Sequence, residues 1–281
     1  MNEYQKYLFD IFKDFRPNPK YPIYPPYHKG LYLEDYFINF YSNNNLNTER
    51  FFIPVSWTTC YVDNCFQGIQ QIINQLDNTK KYFTVAQHDD AIRERLPKDT
   101  ISFNSGGNGG GIPIPLVCSP LEVKIDREKD IFCSFVGSIT HPIRNIMYQT
   151  LINNPKYVIS ARNWTSSVSD DDFNNFTNIT SRSIFCLAPR GYGRSSFRLY
   201  EAIQLGSIPV FIYDHKWCPF EDEIDWNEFC VLIDVKNIQN IDTILSSYTE
   251  YRIKQMQDNL YNYWIDNFTM ESICNRIIKK N

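Results

Sequence analysis

Five short apolar runs recur through the second half of the chain: IFCSFVGS (131–138), KYVISA (156–161), SIFCLAP (183–189), IPVFIY (208–213) and FCVLID (229–234). Each reads as a strand buried on both faces, and the stretches between them are long enough for helices. Continuous apolar strands spaced by helices make a parallel sheet with both faces covered. The first half repeats the pattern more faintly. FFIPVSWTT (51–59) reads as a buried strand, CFQGIQQIINQL (65–76) as a helix and KKYFTVAQHDD (80–90) as a strand ending in a polar cluster. SGGNGGG (105–111) reads as a mobile loop leading into the strand IPIPLV. The charged run EVKIDREKD, near 120–130, separates the two sets. The expectation is therefore α/β: a first lobe over 1–128 and a second over 129–254, with a cleft between them. A C-terminal helix at 255–281 is expected to pack back on the first lobe.

Composition narrows the function classes. A hydrophobic content of 43% with 16% aromatic residues belongs to a folded chain. A net charge of −4 argues against a nucleic-acid partner, which would need a basic surface. The opening MNEYQKYLFDIFKDF is charged and amphipathic, and no run is long enough for a membrane span. With no signal peptide read, the expected compartment is the cytoplasm. Most of the eight cysteines sit in strand-like apolar contexts, where a thiol behaves as a small hydrophobe. Cys60 and Cys65 lack the matching second pair of a zinc site. The sequons at Asn163, Asn175, Asn178 and Asn267 matter only to a chain that meets a secretory pathway.

The connection after SIFCLAP is the most chemical part of the chain. APRGYGRSSFRLYEAI carries Gly191 and Gly193 on either side of Tyr192, and Ser195 or Ser196 as the cap of a following helix. Arg190, Arg194 and Arg198 add guanidinium forks matched to phosphate oxygens. A turn of this kind at a helix start suits a diphosphate. Gly137, Ser138 and Arg144 of SFVGSITHPIRNIM form a second such connection, with an ordinary strand-to-helix turn as the plainer account. Glu201 can accept hydrogen bonds from the hydroxyls of a ribose, or it can pair with Arg198 three residues earlier. Asp214 and His215 emerge at the end of IPVFIY, where site residues of such sheets belong.

The string FCLAPRGYGRSSFRLYEAIQLGSIPVFIYDHKWCPFEDEIDW resembles the signature of the exostosin-like glycosyltransferases, family 47. The likeness extends upstream to IFCSFVGS…IRN and loosely to FTVAQHDD, covering roughly 80–235. It implies the GT-B fold, two Rossmann-like lobes with parallel sheets facing a central cleft. It also implies a UDP-sugar donor, an oligosaccharide or glycoprotein acceptor, and inversion at the anomeric carbon. Arg144 and Arg190 would contact the diphosphate, with Ser196 and Arg198 lining that pocket and Glu201 on the ribose.

Inversion needs a base opposite the departing UDP. The cluster His88, Asp89 and Asp90 ends the matched FTVAQHDD strand, and Asp89 is the preferred base, with His88 as its orienter or alternative. No cofactor is expected and no divalent metal, since arginines and a helix N-terminus can stabilise departing UDP. Asp170-Asp171-Asp172 looks like a metal motif but lies in a Ser- and Asn-rich stretch that suits a helix start. The compact, anchor-free form resembles the members encoded by large algal viruses. That would imply host cytoplasm, UDP-xylose and a β-linkage on a glycoprotein glycan. The rival reading is a nucleotide-sugar or glycan-binding protein without catalysis.

Overall fold

The computed structural model describes residues 1–18, 31–44, 46, 48–90, 92–116, 120–121, 127–165 and 168–281. The chain divides into two units. One is Met1–Val117 joined by Thr269–Asn281, and the other is Cys118–Phe268. Most of the expected boundary run, and Cys118, lie outside the described residues.

The first unit contains α1 (Glu3–Ile11), α2 (Leu33–Asn43), β1 (Phe51–Phe52), α3 (Trp57–Asp63), α4 (Ile69–Ile73), β2 (Tyr82–Ala86), β3 (Ile101–Asn104) and β4 (Ile112–Pro113). The strands form one parallel sheet in the order β1-β2-β3-β4. All five residues of β2 are buried, as a central strand covered on both faces requires. The strand expected over 51–59 is only two residues long, and α3 begins at Trp57. Pro54 has no N–H for a ladder, and the Val55 amide turns back to the Ile53 carbonyl at 3.1 Å. The helix expected over 65–76 likewise narrows to α4, and IPIPLV to the two residues of β4.

In the second unit β5 (Ile131–Ser138), α5 (Pro142–Leu151), β6 (Tyr157–Arg162), α6 (Asp170–Arg182), β7 (Ser183–Pro189), α7 (Phe197–Gln204), β8 (Ile208–Tyr213) and β9 (Val231–Asp234) alternate. Their sheet is parallel throughout, in the order β6-β5-β7-β8-β9. Both units therefore carry the expected parallel-sheet α/β architecture. Phe135, Phe185, Leu187, Val210 and Ile212 are fully buried in one cluster with Met147 and Leu151 of α5. This explains why the strands read as unbroken apolar runs. Asp170–Asp172 form the first turn of α6, capped by Ser169, where acidic side chains meet the positive helix end.

The single C-terminal helix that the sequence suggested is two. After α8 (Ile241–Ser246), α9 (Glu250–Tyr263) stays with the second unit, and a widened turn at Trp264–Phe268 leads to α10 (Met270–Lys279) in the first. Cys60, Cys133, Cys186, Cys218, Cys230 and Cys274 are free, buried thiols. Among the described residues no helix is long and apolar enough to cross a membrane.

Candidate functional site

The chemistry of the second unit gathers at the carboxyl ends of β5, β7 and β8. β7 stops at Pro189, and the Arg190 amide extends its ladder by one bond, 3.0 Å to the Ile212 carbonyl. The chain then folds into a turn closed by the Gly191 amide on the Ser195 carbonyl at 3.0 Å. Ser196 ends it by capping α7. Arg190, 7% exposed, lies inside this turn. Its guanidinium donates to the carbonyls of Tyr192 (2.7 Å) and Gly193 (3.0 Å) and to Asp214 (2.7 Å). Burial pushes the Asp214 carboxyl up, and Arg190 more than offsets this, with His215 adding; it falls to about 2. His215 itself is 66% exposed, with Nδ1 3.4 Å from Asp214.

Two more guanidinium groups reach the same strand ends. Arg144, from the first turn of α5, donates to the carbonyls of Ser138 (2.9 Å), Arg190 (3.1 Å) and Pro189 (3.2 Å), tying β5 to β7. A Cβ on Gly191 would stand 3.4 Å from an Arg144 nitrogen, an ordinary contact, so the turn passes directly beside the fork. Arg198 donates to the Val136 carbonyl at 2.8 Å, lies 3.9 Å over the Phe176 ring and pairs with Glu201. The intrahelical pairing foreseen for Glu201 is thus present. Gly137 sits against Phe135, where an added Cβ would be 3.0 Å from the ring.

The structure therefore joins Gly137, Ser138, Arg144, Arg190, Gly191, Ser196, Arg198 and Glu201 in one region at the strand ends, where Asp214 and Glu201 pair with two of the three guanidinium groups. Tyr192 enters that network through its carbonyl, while its side chain is exposed. Arg194 points elsewhere, 5.6 Å over Trp217. Ser195 is 2% exposed, and among the described residues its hydroxyl finds no hydrogen-bond partner.

His141 was not singled out from the sequence, yet it belongs here. It caps α5, its Nδ1 accepting from the Ile143 amide at 3.3 Å, so the neutral ring carries its proton on Nε2. Burial, then the Arg190 charge, hold its pKa below the usual value; Arg144 adds to this and Asp214 opposes it. The available signal was a His-Pro pair opening a helix directly after a strand.

In the first unit, His88, Asp89 and Asp90 follow β2. The Asp90 amide donates to His88 Nδ1 at 3.1 Å, which again puts the neutral imidazole proton on Nε2. The His88 ring stacks on Tyr61 at 4.4 Å, and Arg93 covers the other side of that tyrosine at 4.2 Å. The glycine-rich segment, expected to be a mobile loop, is tethered to this turn. Asn108 donates its amide to the Asp89 carbonyl (2.9 Å) and its side chain to Asp90 (3.0 Å). Gly106 packs so closely that a Cβ would lie 2.2 Å from the Asp89 Cα. Only glycine fits there.

Behind the turn lies an acidic pair that the sequence reading passed over, Glu34 and Asp35 in the first turn of α2. Glu34 is completely buried and accepts from the amides of Thr58 (2.5 Å) and Gln87 (3.1 Å). Asp35 accepts from the Ser56 hydroxyl at 2.5 Å. Burial and, for Glu34, the neighbouring Asp35 charge push both carboxyls up.

These groups give stability two opposed pH dependences. Burial depresses the His88 and His141 imidazoles, so the unfolded state binds the proton better. Their contribution is present above the ordinary imidazole value, about 6.5, and is lost as pH falls through the depressed values. The raised carboxyls of Glu34 and Asp35 act in reverse, and their contribution is lost as pH rises through the raised values. Thermal unfolding of wild type and His88→Asn, followed from about pH 5 to 8, should show the acid-side loss reduced in the variant. Superimposable acid limbs would contradict it.

Two parallel-sheet α/β units, with their polar residues at the strand ends, define the class. The chain belongs to the exostosin family: the Exostosin GT47 domain matches residues 66–248. A protein of Arabidopsis thaliana named Probable beta-1,4-xylosyltransferase is 36% identical over 126 residues, 45% of this chain and 28% of that protein. One of Oryza sativa subsp. japonica named Probable glucuronosyltransferase is 36% identical over 155 residues, 49% of this chain and 34% of that one. The chain thus spans about a third or less of the length of these relatives. Among solved structures, the pneumococcal O-GlcNAc transferase GtfA in complex with UDP and GlcNAc superposes with a TM-score of 0.41 at 13% identity. That superposition covers 77% of this chain and 47% of the other.

Proposed function

We propose that this protein is an inverting glycosyltransferase that moves a sugar from a UDP donor to a glycan hydroxyl. Family membership supports the reaction class. The observation that carries the donor assignment is the convergence of Arg144, Arg190 and Arg198 on the ends of β5 and β7. Guanidinium charge that is already rigid needs no reorganisation when the leaving diphosphate gains charge. In this reading the second unit binds the nucleotide sugar. Arg144 and Arg190 set the field for the diphosphate, while Gly137, Ser138, Gly191 and Tyr192 border it. The buried Ser195 hydroxyl, without a partner among the described residues, and the Ser196 cap face it with the α7 N-terminus. Glu201, steered by Arg198, takes the ribose. His141, neutral and protonated on Nε2, joins them as a hydrogen-bond donor.

The first unit supplies the base and the acceptor side. Asp89 is the base that removes the acceptor proton as the sugar is transferred, and His88 orients it. His88 is the weaker candidate because its Nδ1 already accepts the Asp90 amide. The arginines replace a divalent ion. The finer expectation is xylose in β-linkage, on an oligosaccharide or glycoprotein, which the name of the Arabidopsis relative favours. The six buried free thiols among the described residues suit a reducing compartment such as cytoplasm.

A panel of UDP-sugars in thermal unfolding tests this, because a ligand that binds only the native state raises its midpoint. UDP and one UDP-sugar should raise it, and that sugar should be transferred to a glycan acceptor. No shift with UDP would remove the donor assignment. A shift without any turnover would favour a binding protein.

A further inference from the structure

We propose that Glu34 is the positioning residue of the turn that carries the candidate base, acting through the backbone of Gln87 and Thr58. The inference rests on the function proposed above for His88–Asp90. One buried carboxylate serves two elements: one oxygen accepts the Thr58 amide at the start of α3, and the other accepts the Gln87 amide at the end of β2. Thr58 passes the constraint on, since its hydroxyl accepts the His88 amide at 3.0 Å. Gln87 returns it, its side-chain oxygen accepting the Leu33 amide at 2.9 Å. Two consecutive amides, at Gln87 and His88, are thereby fixed immediately before Asp89.

Among the described residues no other acceptor is bonded to those amides, and a buried N–H without one is costly. Asp35 reinforces the arrangement from the next position by holding Ser56, the residue before α3. The groups facing Glu34 are Asp35 on its own helix and the Cys60 thiol on α3; the residue it meets after β2, Gln87, is uncharged. Once ionised, above its raised value, the Glu34 carboxylate is acceptor-only and serves both N–H groups, whereas an amide of the same shape would turn a donor toward one of them at every pH.

The test is Glu34→Gln in the full chain. Its UDP affinity should stay within about twofold of wild type, while kcat falls by about tenfold to a hundredfold, the penalty of a misplaced reacting group. His88 supplies a readout that needs no substrate. In wild type, burial depresses its imidazole, opposed by the facing Asp90 charge. In the variant the loosened turn should titrate nearer the ordinary value when followed by NMR. Should Glu34→Gln not fold, Thr58→Val removes the acceptor of the His88 amide and should give the same NMR change. A folded variant with wild-type kcat or an unmoved His88 titration overturns the proposal. A wild type that neither binds UDP nor transfers sugar refutes the proposed function instead, and the NMR titration still decides the role of Glu34.

Discussion

Arg190→Ala should abolish UDP binding and destabilise the second unit by about 1–3 kcal/mol, the range for leaving hydrogen-bonding groups of a buried turn unsatisfied. The size of the effect follows from how many groups one side chain satisfies. Asp214 would lose the guanidinium that overcomes its burial, and the carbonyls of Tyr192 and Gly193 would lose their donors. The turn that presents Ser195 and Ser196 would then keep the Gly191–Ser195 backbone bond but lose its side-chain anchor. Arg190→Lys should rescue part of the stability but little of the affinity, since an ammonium can pair with Asp214 but cannot span both carbonyls. Calorimetric titration with UDP alongside thermal unfolding reads both effects. Native UDP affinity in folded Arg190→Ala would show that the turn forms without it.

Asp89→Asn should lower turnover by about 10²–10⁴-fold, the usual contribution of a general base, with UDP affinity unchanged. The substitution keeps the shape of the side chain, so the close contact with Gly106 and the bonds from Asn108 survive. Loss of catalysis would then report the lost proton acceptor rather than a disturbed turn. Asp90→Asn serves as the control, because Asp90 is engaged by the Asn108 side chain and lies 3.8 Å from Arg93. If Asp89→Asn kept its rate while Asp90→Asn lost it, the base would be Asp90.

The second unit was legible because its strands are buried on both faces. Continuous runs such as IFCSFVGS and IPVFIY coincide with β5 and β8, and their short length, β-branched and aromatic content and flanking turns mark them as strands. The first unit was harder to read because its strands are short. β1 has two residues and β4 two, so most of the apolar residues around them are buried in irregular chain. β3, with the sequence ISFN, has too little length and alternation to stand out.

Residue chemistry followed the same division. The spacing of Arg198 and Glu201 announced their pairing, whereas the placing of Phe176 beneath Arg198 depends on a different helix. Glu34 escaped notice because an acidic residue in a helix's first turn has an ordinary electrostatic explanation. Its role appears only when α2, α3 and β2 are brought together.

The path of the chain also dictates an order of events during synthesis. The second unit is one unbroken stretch, Cys118–Phe268, whereas the first is assembled from both ends. Ile273, Cys274 and Ile277 of α10 are fully buried there. On a ribosome the unit of residues 118–268 can therefore close while its elder neighbour, translated first, still waits for α10. Units usually mature in the order in which they emerge. Here the order is inverted, and α2, which carries Glu34 and packs against α10, gains its complete surroundings only after residues 269–281 have been made.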